Sequence, residues 1–155
     1  MSETSQFDPQ SFLDAQITEA FVKRPPLPVG DYTAVIGEIA ARTWQGKKDP
    51  TKSGIAWDVP LTIEIPAAIQ QELGLTNSTI TLQDSVMIDL TPNGTINTAP
   101  GANRRLRAYR DATDNNVPGK PFSARMLTGA VVTVKIAHDI WEDAPVEKIS
   151  GIAKS

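Results

Sequence analysis

Residues 55–65 alternate without interruption. Ile55, Trp57, Val59, Leu61, Ile63 and Ile65 share one parity, while Ala56, Asp58, Thr62 and Glu64 take the other. Successive side chains of a strand point to opposite faces, so this pattern is that of a half-buried strand and commits the chain to a sheet with one apolar side. Pro60 stands on the outward parity and has no N–H, which implies an edge position or a bulge at that point.

Other segments repeat the pattern around this one. Residues 32–39 read as a first strand with Gly37 as a bulge or bend. Ile80, Leu82, Val86, Ile88 and Leu90 share parity, and Asp84 falls among them as a buried or bulge residue. The turn at 91–94 (TPNG) leads to a return strand at 95–97. Residues 131–141 form a long strand with Val132, Val134, Ile136, His138 and Ile140 on one face. A turn at 143–145 leads into a last strand at 146–153. Pro66 and Gly74 bracket a short helix, and 103–114 reads as a second one. The order is strand, strand, short helix, strand, helix, strand, strand. A mainly β, five-stranded barrel with a helix between its third and fourth strands is the OB plan. A β-sandwich stays open, because alternation does not say which strands pair. The domain is expected over 30–155, and residues 1–29 form an extended N-terminal arm that ends in a Pro-rich stretch, Pro25-Pro26-Leu27-Pro28. In the arm, Phe12, Leu13, Ile17, Ala20 and Phe21 define one face of a short helix with Ser11 as its cap.

Composition excludes more than it assigns. The 155 residues include no cysteine and one histidine, which leaves no thiol chemistry, no Cys-ligated metal and no histidine-based triad. His138 reads as a core histidine. The acids are scattered, and no phosphate-binding glycine loop occurs. The expectation is a protein that is not an enzyme and has no cofactor, no metal and no membrane partner. The polar, acidic first residues do not read as a secretory signal, and the expected compartment is the cytoplasm.

The net charge of −3 conceals segregation. Residues 1–22 carry Glu3, Asp8, Asp14 and Glu19 and no base, and 53–102 carry five acids and no base. Residues 42–52 set Arg42, Lys47, Lys48 and Lys52 against Asp49, and 103–125 set six bases against two acids. The stretch 42–53 reads as a basic loop in which Trp44 stands among cations, the composition of a single-strand binder. Its alternative is an indole packed on the sheet beside solubilising lysines. Trp57, on the inward parity, reads as core. On the second helix, Arg104, Arg107 and Arg110 form a stripe opposite Leu106, Tyr109, Ala112 and Thr113, suited to phosphate contact. Its alternative is a solvated face with an Arg107–Asp111 ion pair.

The segments LPVGDYTAVI, SGIAWDVPLTI, VMIDLTPNGTI, NRRLRAYRDATDNNVPGKPFS and LTGAVVTVKI resemble a group of small bacteriophage-encoded OB-fold proteins that bind single-stranded DNA in replication and recombination modules. The resemblance runs from about Pro25 to the C-terminus and implies single-stranded DNA as partner, in the cytoplasm of an infected bacterium. The chain departs from many single-strand binders in ending EKISGIAKS rather than in an acidic tail, and it has few aromatics for stacking. Self-association is left open. A second expectation is a virion structural protein, a capsid decoration or cement subunit whose ordered arm contacts neighbouring capsid subunits.

Overall fold

The computed structural model describes residues 8–20 and 24–155. Its architecture is mainly β, with six antiparallel strands in one open sheet and short helices. The alternating stretch is the long strand β3 (Ser53–Glu64), which buries Val59, Leu61 and Ile63. One edge of β3 pairs along its length with β4 (Thr79–Ile88), from Ile55 opposite Ile88 to Glu64 opposite Thr79. Its other edge is shared. β2 (Ala40–Gln45) takes the first half and β1 (Gly30–Ile36) takes residues 61–63.

The handover from β1 to β2 occurs at Gly37 and Pro60. The Gly37 N–H donates to the Pro60 carbonyl at 2.8 Å. A Cβ on Gly37 would lie 2.9 Å from Pro60 Cγ, closer than carbon atoms pack, so the bend there needs glycine. Pro60 is thus interior to the sheet, at the break between two neighbours rather than at an edge. The expected basic loop over 42–53 also shortens. Arg42 and Trp44 belong to β2, which makes six strands where five were expected, and the hairpin connection is only 46–52.

On the far side, β1 pairs with β5 (Val131–Trp141), and β5 pairs with β6 (Ala144–Lys154). No ladder joins β4 to β6 among the described residues, so the expected barrel closure is not seen. The α-helices are α1 (Ala67–Leu73), ended by left-handed Gly74, and α2 (Arg104–Ala112). α2 packs on both β6 and β4 and turns Leu106, Tyr109 and Ala112 into the core. Its side chains span the gap between those strands. The Tyr109 hydroxyl donates to Asp84 Oδ2 at 2.7 Å, and Arg105 Nε lies 3.7 Å from the same oxygen. Arg105 also donates to the Ile149 carbonyl of β6 at 3.0 Å. Asp84 is indeed buried, at 8% exposure. Burial, then the Asp84 charge and hydrogen bond, push the Tyr109 hydroxyl far above its ordinary range, with Arg105 opposing. Residues 95–97 form no strand; a single bridge joins Leu90 to Ile96. The turn before α2 is locked by Asn103, whose amide exchanges bonds with the backbone N–H and carbonyl of Asp89 at 2.7 and 2.9 Å.

The Pro-rich segment is clamped to the domain. Leu27 is fully buried in the core, worth about 1.5–3 kcal/mol for a leucine side chain. Its N–H donates to Glu147 Oε2 at 2.6 Å, and its carbonyl meets His138 Nε2 at 2.6 Å. Arg24 pairs with the same Glu147 carboxylate. His138 is therefore a surface residue that grips the arm, not a core histidine, because β5 runs on past the sheet's apolar interior. Further out, residues 9–14 form a 3-10 helix capped by Asp8, which accepts from the Gln10 N–H at 3.1 Å, rather than a helix capped by Ser11. Phe21 of its expected apolar face lies outside the described residues.

Candidate nucleic-acid interface

The β2–β3 hairpin carries Trp44 and, in the connection beyond it, three lysines. Trp44 and Gly54 are register partners, and the indole lies against Gly54 so closely that a Cβ there would sit 2.7 Å from Trp44 Nε1. The missing side chain opposite leaves room for the ring, which stays partly exposed. The connection beyond it is tight. The Gly46 N–H donates to the Lys52 carbonyl at 2.8 Å, Lys52 N–H to the Asp49 carbonyl at 3.0 Å, and Gln45 Nε2 to the Pro50 carbonyl at 2.8 Å. Among the described residues, no ion pair engages Lys47, Lys48 or Lys52, and all three are exposed.

Arg42, next along β2, is engaged. Its Nε donates to both Asp58 oxygens at 3.1 and 2.9 Å across the strand pair, and Ser85 donates to the same carboxylate. On α2 the expected division of faces holds, but the three arginines differ. Arg104 is exposed and, among the described residues, makes no ion pair. Arg107 is paired with Asp111 at 3.5 Å one turn on. Arg110 stacks over Phe122, 4.6 Å from the ring centre, and donates to the Asn115 carbonyl at 3.1 Å. Arg107 and Arg110 border an open cleft of about 390 Å³ between α2 and the 96–103 loop, with Ile96, Leu106 and Asn116 also lining it.

The register brings the hairpin lysines and the start of α2 to one end of the sheet. Ile55 lies opposite Ile88, so the hairpin tip extends past the C-terminal end of β4. Asp89, the next residue, is bonded to Asn103 at the start of α2. Lys47, Lys48, Lys52 and Arg104 thus share the end of the β3–β4 ladder that carries the 89–103 loop. Trp57, read as core, is partly buried against it.

Two features escaped the sequence pattern. Arg105 was counted only as one more base, yet it ties α2 to β4 and β6; its spacing of four from Tyr109 was the available signal, since both then face one flank of the helix. At the other end of the molecule, the β5–β6 turn exposes Ile140 at 67% and Trp141 at 64%, around Glu142 and Asp143, which both adopt positive φ.

Fold and surface together define a mainly β protein whose open antiparallel sheet is bridged by a helix, with the β2–β3 hairpin and the start of α2 at one end. The chain matches no protein-family model, and no curated protein matches it in sequence.

Proposed function

We propose that this protein binds single-stranded DNA without sequence preference, as a bacteriophage protein of replication or recombination. The observation that carries the reading is the β2–β3 hairpin: a partly exposed indole set against glycine, followed by a pinned turn with three exposed lysines. A stacking ring beside cations that follow a phosphate chain is how single strands are held irrespective of sequence. The strand order supports an OB-like plan if β1 and β2 count as one long first strand bent at Gly37, with α2 in the position of the helix before the fourth strand. In that plan the β2–β3 connection borders the binding face. Trp44, Lys47, Lys48, Lys52 and Arg104 form the main contact set. Arg42, Arg107 and Arg110, held in local pairs, take a smaller share.

The test is a titration of oligo-dT by fluorescence anisotropy across a salt series. Four phosphate contacts give a slope of log affinity against log salt of roughly −3. Replacing Lys47 and Lys48 with glutamate is expected to flatten that slope by about two contacts, and Trp44→Ala to weaken binding by about 1–3 kcal/mol at every salt concentration. Absence of binding at low salt by the folded wild-type chain overturns the proposal.

A further inference from the structure

We infer that the N-terminal arm of one copy docks in the cleft between α2 and the 96–103 loop of a second copy, and that the second copy returns its own arm in the same way. The arm is built as a ligand. Residues 8–20 are exposed, Leu13 at 79% and Ile17 at 69%, and none of them belongs to the core of the described residues. Asp8, Asp14 and Glu19 are its charges within that span, with no base among them. The cleft is built as the complement. Its lining contains Arg107 and Arg110 and no acid, and Ile96 and Leu106 give it an apolar side.

Reach and energetics permit the exchange. Leu13 stands eleven residues before the Arg24 anchor, a span of up to about 36 Å. That exceeds the radius of gyration of roughly 14 Å for a domain of this size, so an extended arm can reach past its own domain. The present partner of Arg107 is weakly held: the Arg107–Asp111 pair is exposed on both sides, and such pairs contribute about 0–1 kcal/mol. An incoming Asp14 or Glu19 replaces it at little cost, while Leu13 and Ile17 leave water. Among the described residues of one chain, Leu13 and Ile17 stay exposed and the cleft stays open. Two chains related by a two-fold axis fill both with a single kind of contact, made twice. The clamp on Leu27 fixes where the arm departs and so limits the freedom lost on docking.

The inference is tested without nucleic acid, by sedimentation equilibrium of the full chain at several salt concentrations. The wild-type chain is expected to form a dimer that loosens with salt. The arm variant D14K/E19K and the cleft variant R107E/R110E are each expected to weaken the dimer about tenfold, as charge reversal at a complementary contact does. Joined in one chain, the four substitutions are expected to restore most of the wild-type affinity. A wild-type monomer at all concentrations overturns the proposal, as does a dimer that ignores either pair or a four-fold variant no tighter than its parents. If the cleft variant fails to fold, Ile17→Asp decides the matter alone. It lies in a segment that carries no core residue, and an undiminished dimer then overturns the inference.

Discussion

Gly37 shows how much of this sheet rests on the absence of one side chain. Its position is close to Pro60 because two strands in succession, β1 and β2, must use the same edge of β3, and the chain bends toward Pro60 as it passes from one to the other. Gly37→Ala pushes a carbon to 2.9 Å from the Pro60 ring, which cannot rotate away. The expected cost is about 1–3 kcal/mol, the usual range for overpacking, read from urea denaturation. The bend itself was legible from a glycine inside an alternating segment. Its partner was legible in part: Pro60 called for an edge or a bulge because a proline lacks a ladder donor, and the sheet meets that requirement by breaking the neighbouring strand. His138 was misread. Its parity matches Val132, Val134 and Ile136, but parity says which way a side chain points and not how far the opposite layer extends.

At the scale of elements, α2 stands where a strand ladder between β4 and β6 would otherwise be. The helix contributes Leu106, Tyr109 and Ala112 to the core, and Arg105 reaches Asp84 on one strand and the Ile149 carbonyl on the other. Arg105→Met keeps the stem and removes both polar contacts, leaving buried Asp84, among the described residues, with the tyrosine hydroxyl. The expected loss is about 1–3 kcal/mol of stability. It should be strongly non-additive with Tyr109→Phe, because both partners act on one carboxylate, and a double-mutant cycle measures this. Faster hydrogen exchange around Ile149 than elsewhere in β6 is the accompanying signature. The apolar face of α2 was readable at helical spacing, and α1 from its Pro66 and Gly74 brackets. β2 was not. It has one neighbouring strand, exposes Arg42 and Thr43, and alternates too little to stand out from the basic stretch that contains it. The open seam was equally hidden, since pairing between distant strands leaves no local mark.

For the whole molecule, the two tyrosines report together. Tyr109 is raised by burial first and by Asp84 next; Tyr32, which donates to the Pro28 carbonyl at 2.6 Å, is raised by burial first, then by Glu147 and Glu72. Unfolded, both release their protons near the ordinary value of 10.0, whereas the folded chain retains them. Above that pH the folded state holds more protons, so the stabilisation is complete below pH 10 and falls as pH rises toward the folded values. Ultraviolet absorbance of tyrosinate is expected to rise together with the loss of circular dichroism; ionisation near pH 10 in a chain that stays folded counts against this. The clamp on Leu27 has a consequence in time as well. Its two backbone bonds connect residues 120 and 111 positions apart. A ribosome adding about 5–20 residues per second needs roughly 6–24 s to make the intervening chain. Throughout that interval the acidic segment is already made and the strands that will grip it are not, so the arm of a nascent chain stays without its anchor until β5 and β6 exist.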